Sequence, residues 1–423
     1  MNKVLILLSL LIFTFTQATN VNAVTQEDEQ IARTEYPTNT LYKIWLDQQI
    51  NDNAALDFYN TLTEKHILEL NKENKATVTY FAKGSDDTEY IMQSGGPDFY
   101  GLRFKQIGKS GIYYCLQAIP LDAWFAYGVN EFKRIKVQGS TDLEKTVMEH
   151  IYDGAVIGPN APLSVHVQYR RGVPKGTIHK FTLESKFMNE KREIQIYLPA
   201  DYNQNVAHNL VFQLDGQNYS KGAEQDPIWH GWTPLPTILD NLIYEQKIGP
   251  TIAVFIVNQG NRSKELISER MTDFIALELL PWFKENYNIV SNPKNIVVSG
   301  PSRAGFTAAN TALRHSNLIG SVLSQSGSFY YTLNENRNWP IYPEFEGKLL
   351  SNYKLSAKKA IQFYLDVGLY DLGLAVVGTN RQFRDVLQLQ GYQVDYYEYK
   401  GGHSHLGWRH TIANGLISLI GIN

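Results

Sequence analysis

The residue most clearly placed for chemistry is Ser302, in the stretch VVSGPSRAGF. Two valines run into a sharp turn, and the helical pattern FTAANTALRH follows at once. A serine on such a turn can present its hydroxyl to a carbonyl, and the tight strand-to-helix reversal explains the small residues Gly300 and Ala304 on either side. The commonplace role for this serine is a helix N-cap. Because a serine hydroxyl is a weak nucleophile near neutral pH, acyl transfer also requires an imidazole base with a carboxylate behind it.

Where strands alternate with helices, these partners follow in the order serine, acid, histidine. His403 lies in YKGGHSHLGWR, directly after the last strand pattern DYYEYK and on a Gly-Gly loop; His405 is its rival. The acid belongs after the preceding strand, KAIQFYLDVG. Asp371, in the loop GLYDLG, is preferred to Asp366, which is still in the strand and has limited reach. An oxyanion needs two donors. One is the N–H of Arg303, which opens the helix after the serine. The other is the N–H of Gln217, after NLVFQLDG, where Gly216 lets the backbone approach closely. Metal chemistry is not expected, although GGHSHLGWRH holds three histidines. No HExxH or accompanying acidic motif is present, and the single Cys115 excludes cysteine zinc sites and an intramolecular disulfide. No cofactor is expected either.

The elements that must carry these residues are readable from texture. NLVFQLDG, TIAVFIVN, NIVVSG, SVLSQSG and KAIQFYLDVG are apolar runs, alternating with helical stretches such as MTDFIALELLPWFKENY and NRQFRDVLQLQGY. That alternation predicts a doubly wound, mainly parallel sheet covered on both faces. Ligands then bind beyond the carboxyl ends of the strands. Upstream, DNAALDFYNTLTEKHILEL reads as a helical lead-in, and ATVTYFAK, YGLRFKQI and GIYYCLQAI read as the short strands of a smaller β-sandwich, with Cys115 as a buried structural thiol. The expected organisation is a signal peptide over 1–23, the lead-in and sandwich over 24–160, a Gly- and Pro-rich linker over 161–173 and a catalytic domain over 174–423.

The chain has 423 residues, 43% of them hydrophobic, and a formal net charge of −3, which offers no basic field for nucleic acid. Lys3, an apolar run from Val4 to Phe15 and the small Ala23 make a secretory signal cleaved after Ala23. The run is shorter than the roughly 20 apolar residues of a membrane span. A periplasmic or secreted protein with no membrane span after cleavage is expected.

From about residue 176 onward the chain resembles the enterochelin (enterobactin) esterases, within the esterase-D-like α/β-hydrolases. The matching stretches are LDGQNY, GWTPLPTILDNLI, NRSKEL, FIALELLPWFKENY, SGPSRAGF, SVLSQSGSFYY and GGHSHLGWR. Residues 77–130 resemble the β-sandwich that precedes the catalytic domain in longer members. The resemblance implies an α/β-hydrolase fold with nucleophile Ser302, base His403, acid near Asp371 and an oxyanion hole from Gln217 and Arg303. Ala304 in place of the usual glycine is similar to the mycolyltransferase branch. The implied activity is hydrolysis of a small-molecule ester, a catecholate trilactone siderophore, iron-loaded or not. For such a substrate, aromatic and cationic contacts are expected from Trp229, Trp232, Arg262, Arg303, Trp408 and Arg409. The alternatives are an esterase of feruloyl or acetyl polysaccharide esters, and a binding homologue without turnover.

Overall fold

Beyond residue 176 the strand patterns assemble into one eight-stranded sheet in a computed structural model, which describes residues 25–71, 75–136, 144–223, 231–331 and 347–422. The segment read as a secretory signal and Trp229 lie outside the described residues.

Ahead of the large sheet come β1 (His66–Leu70), β2 (Ala76–Lys83), β3 (Thr88–Gly95), β4 (Asp98–Arg103), β5 (Lys105–Gln106), β6 (Ile112–Ile119), β7 (Trp124–Lys136) and β8 (Glu144–Ile157). They form two four-stranded antiparallel sheets, ordered β1-β2-β6-β5 and β4-β3-β7-β8. Strand alternation sorts their side chains. Val78, Tyr80 and Cys115 meet Ile91, Phe125, Tyr127 and Val129 in the core between the sheets. Phe81 and Tyr114 point the other way, onto helices Gln26–Glu35, Asn39–Gln48 and Ala54–Thr61. Thr25 and Thr38 cap the first two of these helices. Burial pushes the Cys115 thiol well up, which keeps it protonated and inert.

The large sheet contains β9 (Thr177–Ser185), β10 (Glu190–Leu198), β11 (Asn209–Leu214), β12 (Thr251–Ile256), β13 (Ile296–Pro301), β14 (Ser321–Gln325), β15 (Gln362–Gly368) and β16 (Gln393–Tyr399). Its order is β16-β15-β14-β13-β11-β12-β10-β9, parallel from β16 to β12 and antiparallel at β10 and β9. Every residue of β11, β12, β13, β14 and β15 is buried, which is why these strands read as continuous apolar runs. Phe212, Val254 and Val298 face one helical layer, and Val211, Phe255 and Val297 face the other. The helical run Glu269–Asn286 contains a π-helical stretch, Phe274–Leu279, just before Pro281. A proline ring inside a helix displaces the regular hydrogen bonding, and a wide turn absorbs it. Among the described residues no helix is long and apolar enough to cross a membrane.

The two parts meet at the carboxyl end of β16. Trp124 stacks on Tyr399 with ring centroids 5.1 Å apart, and its backbone N–H donates to the Lys400 carbonyl at 2.9 Å. The Lys400 ammonium reaches both carboxylate oxygens of Asp122, at 2.7 and 2.9 Å. Phe125 meets Tyr370 edge-on at 5.7 Å. The sandwich therefore rests on the loops that follow β15 and β16. Trp124 is 1% exposed, so Trp124→Ala should cost about 3–5 kcal/mol. Urea unfolding of wild type and variant measures this, and a loss under about 1 kcal/mol would show the contact to be dispensable.

Candidate active site

Ser302 sits at the tip of the turn between β13 and helix Arg303–Arg314, with φ 57° and ψ −123°. That backbone region costs a non-glycine residue on the order of 1–3 kcal/mol, so neighbouring contacts must hold it there. The Ser302 N–H donates to the Gln325 carbonyl at 2.8 Å, and the Ser302 carbonyl accepts from the Ser328 N–H at 3.0 Å. Steric crowding explains the small neighbours: a Cβ on Gly300 would lie 2.5 Å from the Ala304 Cβ. Ser302 occupies the N-cap position yet makes no side-chain capping bond. Its hydroxyl is therefore not consumed by the helix. Its partner is Ser328 Oγ at 3.2 Å.

Asp371 and His403 come together because the pairing of β15 with β16 continues past both strand ends. Leu369 N–H donates to the Tyr399 carbonyl at 2.7 Å and Tyr370 N–H to the Gly401 carbonyl at 2.8 Å. A Cβ on Gly368 would stand 2.3 Å from the Gly401 oxygen, so this closeness requires glycine. At the end of this ladder, His403 Nδ1 donates to Asp371 Oδ1 at 2.7 Å. A carboxylate only accepts, so Nδ1 carries the proton and Nε2 keeps its lone pair. The Asp371 side chain is 0% exposed and Oδ1 also accepts from the Leu372 N–H at 2.6 Å, which fixes its orientation.

No hydrogen bond joins Ser302 to His403 in this structure; Ser302 pairs with Ser328 instead. Strands β13, β15 and β16 carry the two halves to the same carboxyl edge of the sheet. Catalytic hydrogen bonds are often long before substrate binds.

The rival residues are engaged elsewhere. His405 uses both ring nitrogens, at 3.1 Å from Thr233 Oγ1 and 3.2 Å from Asn218 Nδ2, and burial pushes it down to about 4. Asp366 lies inside β15, in register with Gln325 and Tyr397, and accepts from Gln325 Nε2 at 3.3 Å. Complete burial pushes its carboxyl up to about 7.

The turn after β11 is a 3-10 segment, Gly216–Asn218, entered through Asp215 in the left-handed region at φ 56°. Gly216 fits because a Cβ there would approach the Phe255 carbonyl carbon to 2.6 Å. Among the described residues neither the Gln217 N–H nor the Arg303 N–H makes a hydrogen bond. Two donors are thus left free at the ends of β11 and β13, which pair directly.

Several residues expected at substrate have structural work in the fold. Arg262 grips Asp215 through Nε at 2.6 Å and through Nη2, and Asn258 Nδ2 reaches the same carboxylate. The guanidinium thereby braces the turn that carries Gln217. Trp408 is 5% exposed, donates from Nε1 to Ser326 Oγ at 3.1 Å and stands edge-on between His403 and His405, at 5.0 and 5.1 Å. It supports the His403 ring from behind. Arg409 is 2% exposed, out of reach of a ligand. Trp408 and Arg409 are drawn inside because the final helix, His405–Ile420, is buried along most of its length, and Arg262 supplies the counter-charge that Asp215 needs. Trp232 is half-buried under the Lys221 ammonium, and the Arg303 guanidinium lies over the Tyr331 ring at 5.2 Å. Sequence reasoning missed Ser328; the run SQSGS at the end of β14 was its only signal.

The Esterase family model matches residues 185–419. The chain belongs to the Esterase family. Among its relatives, the iron(III) enterobactin esterase of Dickeya dadantii is 27% identical over 245 residues, covering 55% of this chain and 52% of that protein. The iron(III) enterobactin esterase of Escherichia coli K12 is 26% identical over 244 residues, covering 56% and 55%. The chain spans about half the length of these relatives. The crystal structure of the enterochelin esterase of Shigella flexneri matches with a TM-score of 0.66 at 18% identity, over 86% of this chain and 97% of that one. Ferric enterobactin esterase of Salmonella typhimurium matches at 0.67 and 19%, over 86% and 98%. At these identities the likeness establishes the fold, an α/β-hydrolase sheet preceded by smaller antiparallel sheets.

Asp366 yields a pH-dependent prediction. Its folded-state value, about 7, lies above the ordinary carboxyl range, so the folded protein keeps a proton that the unfolded chain releases. Stability from this group is present at low pH and is lost as pH rises from about 4 to about 7. Asp366→Asn removes the loss, so the variant should gain stability relative to wild type across that window. Urea midpoints at a series of pH values check this; a difference that does not change with pH would contradict it.

Proposed function

We propose that the protein is a serine carboxylic-ester hydrolase acting through Ser302, His403 and Asp371. Most support comes from the Asp371–His403 hydrogen bond, formed on the loops after the last two strands at the edge where the strained, uncapped Ser302 stands. His403 Nε2, left with its lone pair, takes the proton of Ser302 Oγ as that oxygen bonds to the ester carbonyl carbon. This needs the Ser302 hydroxyl to leave Ser328 by a side-chain rotation. The Gln217 and Arg303 N–H groups receive the charge that develops on the carbonyl oxygen. His403 then returns the proton to the departing alcohol as the carbon–oxygen ester bond breaks, leaving an acyl group on Ser302. Water, deprotonated by the same imidazole, releases the acid and restores the serine. Asp371 holds the ring in the working tautomer and favours its charged form. The chemistry calls for no metal or cofactor.

The substrate class we propose is a catecholate trilactone siderophore. Family membership and the names of the relatives, iron(III) enterobactin esterases, support it. The leader pattern of residues 1–23 supports placing the protein outside the cytoplasm.

Ser302→Ala should lower turnover of an aryl ester and of a catecholate trilactone by roughly 10⁴-fold or more with the fold retained. Near-normal turnover by the purified variant would remove the assignment. Asp371→Asn should cost roughly 10²–10⁴ in kcat through loss of the working tautomer. If Asp366→Asn caused that loss and Asp371→Asn did not, the acid would be misassigned.

A further inference from the structure

A cavity of about 600 Å³ lies between the β3–β7–β8 face of the sandwich and the loops bearing Asp371 and His403. Its sandwich wall follows from strand register. Ser94, Gly128 and Asp153 stand in one row across β3, β7 and β8, and Asn130 pairs with His150 in the next row on that face. Gly128 leaves the floor bare: a Cβ there would meet Asp153 Oδ1 at 3.2 Å and Ser94 Oγ at 3.5 Å. Asp98 adds a second carboxylate to this wall. Asp153 has His150 Nε2 at 3.2 Å. No lysine or arginine is among the described residues that line the cavity.

The opposite wall carries polar atoms that the protein does not satisfy. Asp371 Oδ2 and Ser404 Oγ belong to residues lining the cavity, are buried, and have no hydrogen-bond partner among the described residues. Both atoms are closed to solvent, so the acceptors a ligand reaches are the Asp98 and Asp153 carboxylates of the sandwich wall. The sandwich wall thus offers acceptors and negative charge, in a cleft whose low-dielectric sides concentrate the field.

Resting on the esterase reading above, we infer that this cleft seats the alcohol portion of the ester and selects an uncharged, hydroxyl-rich group over an anionic one. The side of the site follows from the chemistry. His403 hands its proton to the departing alcohol, and His403 lines this cavity. Hydroxyl groups donate to Asp98 and Asp153, whereas an anion meets these carboxylates with no lysine or arginine to offset them. An iron-free catecholate trilactone presents free hydroxyls. Its ferric complex has lost those protons and carries net negative charge.

Binding, measured by calorimetry on Ser302→Ala protein so that no turnover intervenes, tests this with the two forms of the trilactone. The iron-free form should bind about tenfold or more tighter than the ferric complex. Adding Asp98→Asn and Asp153→Asn should narrow that ratio to about threefold or less by improving ferric binding. Gly128→Leu should weaken the iron-free form about tenfold or more by filling the floor, with an unchanged thermal midpoint showing the fold intact. Equal or tighter ferric binding, an unchanged ratio in the double carboxylate variant, or no detectable binding of either form overturns the inference. Because these readouts are affinities, a wild type that binds in this pattern without hydrolysing esters would defeat the esterase reading alone.

Discussion

The candidate site depends on the short backbone ladder that extends β15 and β16 beyond their strand ends. Two N–H to carbonyl bonds, Leu369 to Tyr399 and Tyr370 to Gly401, hold the acid loop against the histidine loop. Only with Gly368 facing the Gly401 oxygen can the backbones approach so closely. The 2.7 Å contact between Asp371 and His403 is the outcome of that approach. Trp408 behind the imidazole and the Leu372 N–H on the carboxylate then limit how either group can turn. A geometry fixed by backbone pairing and packing requires little reorganisation when charge develops.

Ser302 is held by a different means. Its strained backbone is tied to Gln325 and Ser328, both from the neighbouring β14 connection, while the crowding of Gly300 against Ala304 closes the turn. Strain at this point serves presentation: a relaxed N-cap serine would spend its hydroxyl on the helix amides. The turn after β11 follows similar logic. Asp215 is held left-handed and neutralised by Arg262, leaving the Gln217 N–H directed by the backbone alone. Each functional group thus has a supporting residue held in place by contacts within the fold.

The N-terminal sandwich is part of this support. Trp124 stacked on Tyr399 and bonded to Lys400 places the smaller domain on the residues leading into the histidine loop. The same contact brings the β3–β7–β8 face over the site, so that one docking surface both steadies the loop and builds a wall of the cavity. A second contact joins the segment after β8 to the final helix, where the Ser164 N–H donates to His410 Nδ1.

Much of the fold was readable from local pattern because its causes are local. Apolar runs alternating with amphipathic helices require a sheet covered on both sides, and the eight-stranded sheet has that form. The small residues around Ser302 reveal a tight turn, since only they fit one. Chain order places an acid and a histidine after the last two strands, whatever their distance in sequence. Assignments that depend on what lies opposite a side chain were not readable. Arg262 and Arg409 look alike as cations in motif stretches, yet one braces Asp215 and the other is buried in the final helix, because the partner surfaces come from distant segments. Likewise, Ser328 meets Ser302, and Gly128 opens a floor above His403, through strand register and domain docking. The amino-acid order by itself determined the elements and the chemistry they can carry, since propensity and periodicity act over a few residues. Tertiary structure alone decided which polar groups face each other, because that depends on contacts between segments up to hundreds of residues apart.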